Sequence, residues 1–479
     1  MNIKNILQRA EALYQQSNFV ESIELCQKLI AKKPKLVQPR QILAVNYLGL
    51  NQLEQAVNEF ELALELSPND AHLLCNLGHL YLTRLNFEQA VPYLKRAIVQ
   101  DHKLAAAYGN LAICQQELGD LKAAEENYRK AILRDGKSAE YHMNLGSLHM
   151  ELGNFELALN MLMKALELDP SFGEVYFRLF SVMLYMHRYQ DALEVADIGL
   201  VSKQLSNIQM CELFVGKATL FWLFDNVEEA QQAVQLSEGI YTDNSNYSNI
   251  RNLTVFHIYL KQLVNFRLAH PDFYQHETEQ QIYFVSESHG FAPSGARVTY
   301  KQQEYAIKSL FVRGTKVFHL TSEKSNKFKE SLRRLLLGLA PQSKIVLGFG
   351  EIDCRNNEGI FQHVRKSDAN YQEVIELMVG SYLTFLQTEN HSVNHRLFIY
   401  GVPAPHPDAV KQLDEQEQQL FINVIGYFNS SLARACQKYE MTFLDVHGLT
   451  SDNGVSNMQY HIDGFHLKPS TIIELFAEL

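Results

Sequence analysis

The sequence predicts two architectures in series: an α solenoid of paired helices, then a three-layer α/β domain with a mostly parallel sheet. Three observations carry this expectation. Alanine recurs every 34 residues at Ala56, Ala90, Ala124, Ala158 and Ala192. From about residue 281 the pattern changes to short β-rich runs separated by helical stretches. A serine, Ser288, follows the first of those runs, and an Asp-x-x-His segment, Asp463 to His466, stands near the end of the chain.

The repeat is read from several columns at once. Small residues also recur at Ala63, Ala97, Ala131, Ala165 and Gly199, and earlier in each unit at Ala10, Ala44, Gly78, Ala112 and Gly146. Bulky residues fill another column at Phe60, Leu94, Tyr128 and Leu162, and prolines close units at Pro34, Pro68 and Pro170. Small side chains at fixed places let the two helices of a unit approach closely. This pattern resembles the tetratricopeptide repeat (TPR). Counted from Ile3 it gives six units over residues 1–206. A degenerate seventh is expected from Cys211 to about 244, holding Ala218, Ala230 and the one tryptophan, Trp222. The polar stretch "YTDNSNYSN" then opens a long helix over residues 248–269. Residues 207–275 are expected to act as cap and linker, because the last apolar face of a repeat array needs cover.

Such arrays bind protein or peptide on a concave face. Candidate positions are Asn46, His79, Asn110, Gln115, Asn144 and His149, with Asn110 and Asn144 in one column. Two readings stay open there, a ladder gripping a peptide backbone and a solvated helix face.

In the second half, strands are expected at 281–285, 305–312, 316–320, 344–349, 396–402 and 441–446, with helices at 323–340, 369–390, 412–438 and 469–478. Strands alternating with helices imply a parallel sheet, and ligands bind such sheets beyond the carboxyl ends of the strands. Three chemically loaded stretches fall there: "SESHG" (286–290), "GEIDCR" (350–355) and "HGLTSDN" (447–453). The proline-rich "GVPAPHPD" (401–408) is expected to wall the same cleft.

A serine hydroxyl is a poor nucleophile until a histidine takes its proton, and that histidine needs a carboxylate on its other nitrogen. Asp463 and His466 can supply both roles from one turn. Block by block, residues 276–479 resemble the SGNH (GDSL-type) hydrolases. Ser286-Glu287-Ser288 stands where that family has Gly-Asp-Ser, Gly314 at the second-block glycine, Gly350-Glu351-Ile352-Asp353 at Gly-x-Asn-Asp, and Asp463-Gly464-Phe465-His466 at Asp-x-x-His. The resemblance implies Ser288 as nucleophile, His466 as base and then acid, and Asp463 as its orienting carboxylate. It also implies an oxyanion hole from the backbone amides of Ser288 and Gly314. Ile352 replaces the asparagine that the family places there, and losing one such donor typically costs roughly 10²–10³ in rate. Arg355 either offers a guanidinium to the site or pairs with Glu351 or Asp353 to stiffen the loop. His289 either orients substrate or serves the loop. Cys354 is expected to pack rather than react.

Composition narrows the rest. A net charge of −11 over 479 residues argues against nucleic acid as the main partner. Six scattered cysteines without CxxC spacing point to reduced thiols rather than a disulfide framework or zinc. His461, Asp463 and His466 are too loosely spaced for a metal trio, so no metal and no cofactor is expected. No membrane span is apparent, the start lacks a signal-peptide core, and a cytoplasmic location is expected. The expectation is therefore an SGNH-type serine esterase or O-acyltransferase acting on a small O-acyl group, an O-acetyl carbohydrate by preference, with a TPR module for protein binding. Its rival is a TPR scaffold whose hydrolase-like domain no longer catalyses.

Overall fold

A computed structural model describes residues 3–201, 205–242, 251–274, 280–367, 369–463 and 466–479. The chain packs as two compact units: Met1–His149 with Glu156–Pro170, and Met150–Phe155 with Ser171–Leu479.

In the first unit, helices of 13 or 14 residues follow one another from Ile3–Gln15 and Phe19–Lys32 to Ala105–Glu117 and Leu121–Arg134. The alanine columns are the contact surfaces: Ala10, Ala44, Ala56, Ala63, Ala90, Ala97, Ala112, Ala124 and Ala131 have no exposed surface. At Gly78 even a methyl group would meet the Leu94 side chain at 2.6 Å. The turn between paired helices also repeats, with left-handed backbone at Ser17, Asn51, Leu85 and Gly119. In each, the amide beyond that residue reaches back five positions, as in Gln52 N–H to Tyr47 O at 2.8 Å. This closes the helix end with a Schellman motif.

Two of the proposed ligand-facing positions are buried instead. Asn46 has no exposure and donates to the Ser22 hydroxyl at 2.9 Å and the Ile42 carbonyl at 2.6 Å, tying two helices together. His149 is likewise buried. Asn110 and Asn144 are half-buried, Asn110 near the Cys75 sulfur at 3.8 Å, while His79 is exposed.

The second unit opens with further helices, Gly173–Tyr185, Tyr189–Val201, Asn207–Leu223, Val227–Thr242 and Arg251–Ala269. Residues 243–250, where the sequence reading begins the last of these, lie outside the described residues. A six-stranded sheet follows, with strands β1 (Gln281–Ser286), β2 (Arg297–Tyr300), β3 (Gln303–Phe311), β4 (Lys344–Gly348), β5 (Arg396–Tyr400) and β6 (Thr442–Leu444). Their order is β2-β3-β1-β4-β5-β6, and every neighbouring pair is parallel except the β2–β3 hairpin. Both faces are covered. Helices Lys327–Gly338, Tyr371–Asn390 and Glu415–Lys438 pack on one side around Val285, Leu347 and Ile399. Helix Thr471–Ala477 packs on the other, around Phe284, Val346 and Phe398.

Helix Gly359–Ser367 and the small ribbon Ser451–Asp452 with Val455–Ser456 are additional to the sequence reading, and two further differences bear on the sheet. "KVFHL" (316–320) forms a helical turn, Val317–Thr321, rather than a strand, because both oxygens of Asp353 accept its first amides, Val317 N–H at 2.7 Å and Phe318 N–H at 3.0 Å. Strand β2 is additional. Its turn to β3 runs through Lys301 and Gln302, both at positive φ, without the Asn-Gly signal that such hairpins usually carry. No helix among the described residues is long and apolar enough to cross a membrane.

Candidate active site

Strand β1 lies inside the sheet, and its last residue, Ser286, pairs with Phe311 on one side and Gly348 on the other. The chain leaves the sheet at Glu287 and turns at once through a short 3-10 helix, Ser288–Gly290. The turn is tight enough to require glycine at 290, where a side-chain carbon would collide with the Ser286 hydroxyl. Ser288 is thereby held beyond the carboxyl end of a central strand.

The C-terminal segment brings its partners. Ile462 N–H bonds His466 O at 2.9 Å and Lys468 N–H bonds Tyr460 O at 2.7 Å, bringing residues 460–462 beside 466–468. Asp463 uses one oxygen to accept the His466 backbone amide at 2.6 Å and the other to meet His466 Nδ1 at 2.8 Å. With Nδ1–H donated to that carboxylate, Nε2 carries the lone pair, and it lies 3.1 Å from Ser288 Oγ. Gly464 and Phe465 lie outside the described residues. Ser288 and His466 are 2% and 1% exposed. Burial holds the imidazole below its usual pKa although Asp463 opposes this.

A second set of charges reaches Ser288 from the other side. Its hydroxyl lies 2.8 Å from Glu287 Oε2, and Glu287 Oε1 is 2.8 Å from His289 Nδ1. Glu351 Oε2 lies 4.0 Å from the same His289 nitrogen, and Arg355 bonds Glu351 through Nε at 3.0 Å and Nη2 at 2.8 Å. For His289, burial disfavours charge, but Glu351 and Glu287 together outweigh it and raise the pKa to about 9. Burial also disfavours ionised Glu287, yet the bond and charge of His289, Arg355 and the Ser288 amide hold it well below the carboxylate range. Glu287, His289 and Glu351 place three potential metal-ligating atoms within 4.8 Å of one another. His289 and Arg355 already neutralise these carboxylates, which describes a buried charge chain.

The remaining expected residues divide. Gly314, at φ 64°, lies in the loop after β3, whose Val312 N–H bonds Ser286 O at 2.9 Å next to the serine turn. Gly350, at φ 121°, passes so close to Phe428 that a side chain would clash at 2.8 Å. Arg355 pairs with Glu351 at 2.8 Å and lies 3.6 Å from Glu358. Asp353 anchors the Val317–Thr321 turn, so its carboxylate is committed to backbone. Ile352 is buried, and Cys354 is buried in the apolar core on the helix side of the sheet, its thiol pushed well above the usual pKa by burial.

One contact of this site was not legible in the sequence. Tyr259, on helix Arg251–Ala269, stacks face to face on His466 with ring centres 3.6 Å apart and planes 9° from parallel. From helix Asn207–Leu223, Trp222 donates its indole N–H to Phe291 O at 3.0 Å, gripping the turn that carries Ser288. The segment expected as cap and linker thus touches both the turn that carries Ser288 and the His466 ring. Its periodicity signals only a buried helix.

Family models of the tetratricopeptide repeat match residues 71–98, 105–138 and 139–172, and a TPR repeat model matches residues 46–83. A search among curated proteins returned no match. Among solved structures, a tetratricopeptide repeat protein from Parabacteroides merdae is 14% identical, with a TM-score of 0.43 over 53% of this chain and 98% of that one. PilF from Pseudomonas aeruginosa is 18% identical, with a TM-score of 0.38 over 45% of this chain and 96% of that one. YrrB, described as a TPR protein with an unusual peptide-binding site, is 22% identical, with a TM-score of 0.30 over 34% of this chain and 85% of that one. Residues 46–172 of this chain are tetratricopeptide repeats.

Proposed function

We propose that the α/β part, residues 276–479, is an SGNH-type serine hydrolase or O-acyltransferase for small O-acyl groups, and that the repeats recruit it to a protein partner. The observation that carries this reading is the line Asp463–His466–Ser288, with separations of 2.8 and 3.1 Å. In this reaction Ser288 Oγ bonds to the ester carbonyl carbon while its proton passes to His466 Nε2. Asp463 balances the imidazolium. As the ester C–O bond breaks, His466 returns the proton to the leaving alcohol. Water, or an acceptor alcohol, then repeats the sequence on the acyl-serine. Amides of Ser288 and Gly314 are the proposed oxyanion donors. An O-acetyl carbohydrate is the favoured substrate class, in keeping with the close packing around Ser288.

A second reading has its own support: a protein-binding scaffold whose α/β part does not catalyse. Ile352 offers no side-chain donor, and the Glu287 carboxylate takes the Ser288 hydroxyl at 2.8 Å. Short-chain aryl esters discriminate the two. The serine hydrolase reading expects acetyl-ester turnover that falls about 10³-fold or more in Ser288→Ala and in His466→Ala. Turnover unchanged in both variants, or absent from the folded native chain, favours the scaffold.

A further inference from the structure

Tyr259 belongs to a helix that precedes the α/β part, yet it has no exposed surface and its ring lies on the His466 imidazole. The same ring runs nearly parallel to Phe291, three residues after Ser288, with centres 6.4 Å apart and planes at 12°. Phe256, one turn earlier in the helix, packs on Phe291 at 6.0 Å and on Phe311 at 6.2 Å. One helix therefore braces the turn that carries the serine and the face of the histidine opposite it.

We propose that Tyr259 is a positioning residue for His466: its ring fixes the imidazole in line between Asp463 and Ser288 and stabilises the cation formed when the serine proton is transferred. A neutral imidazole gains little from face-to-face contact with a phenol ring, whereas an imidazolium is drawn to the ring's negative face. The contact therefore strengthens in the charged state, where catalysis needs it. Burial raises the Tyr259 phenol well above its usual range, so the ring meets His466 uncharged and takes no proton from it. The other groups acting on His466 are Asp463 and Glu287, which favour its cation, and His289, which opposes it; nearby His461 is itself lowered to about 4, chiefly by burial. His289, charged and 4.7 Å away between ring centres, is the main opposing charge that the Tyr259 face offsets.

This inference rests on the serine hydrolase reading, and its test separates the two. In the full chain labelled with ¹⁵N-histidine, the His466 resonances are assigned by their loss in His466→Gln and titrated against pH. Tyr259→Leu, which keeps apolar volume but removes the π face, should lower the His466 pKa by about one unit, an effect on the order of ten-fold. Fluorophosphonate labelling of Ser288 should slow by a similar factor, and Tyr259→Phe should restore both. If Tyr259→Leu unfolds the chain, Tyr259→Met carries the same expectation. A folded variant whose His466 pKa is unchanged or raised overturns the proposal, because the ring then only excludes water. A native chain that never labels at Ser288 defeats the hydrolase reading, while the titration still decides whether Tyr259 stabilises the cation.

Discussion

At Glu287 the chain carries a side chain one methylene longer than the aspartate of the resembled motif, and the carboxylate folds back onto Ser288. The serine proton thus has two acceptors, and His289 keeps one of them ionised. This pair has a consequence for stability. His289 is raised to about 9 in the fold, so its contribution is complete below its unfolded value of 6.5 and is lost as pH rises through 9. Glu287 is depressed, so its contribution is present above 4.5 and is lost as the solution becomes strongly acidic. Between pH 6.5 and 9 the urea midpoint of the native chain should therefore fall more steeply than that of His289→Gln. Parallel curves would remove the buried ion pair from the account. The Asp463–His466 contact was legible because Asp-x-x-His places both side chains on one turn, and only the resemblance joined Ser288 to them. Tyr259 was not, because no motif includes it and nothing local marks a tyrosine that faces a distant histidine.

At the scale of elements, the alanine columns were legible because close helix packing excludes larger side chains at fixed intervals. The left-handed turn positions were less so. Glycine marks Gly119 and Gly153, but the same place is filled by Ser17, Asn51, Leu85 and His187. A leucine in that conformation is strained by about 1–2 kcal/mol. Leu85 is largely exposed, so Leu85→Gly should stabilise the first unit by about 1 kcal/mol after the added freedom of the unfolded chain is counted. A thermal or urea unfolding series reads this directly, and destabilisation would contradict the Schellman account of the turn. Residues 316–320 misled for the opposite reason. Val317, Phe318 and Leu320 favour a strand locally, but a carboxylate from another loop, Asp353, caps them into a helical turn.

At the scale of the whole molecule, repeats over residues 46–172 stand in the same chain as a six-stranded, mostly parallel sheet. The last helices of the N-terminal half are integral to the second unit, where Trp222, Tyr259, Leu260 and Leu263 share a core with Phe291, Ala292 and Phe311. That division was not legible, since a helix pair reads alike whether its apolar face meets another repeat or a sheet domain. The arrangement gives the proposed chemistry a cover drawn from outside the α/β part.

Whether His466 activates Ser288 is decided by covalent capture. The folded native chain is incubated with a fluorophosphonate probe beside Ser288→Ala and His466→Ala, and the modified peptide is identified by mass. One label is expected, on Ser288, lost in Ser288→Ala and slowed by several orders of magnitude in His466→Ala. No label on the folded native chain, or labelling that ignores His466, would contradict it.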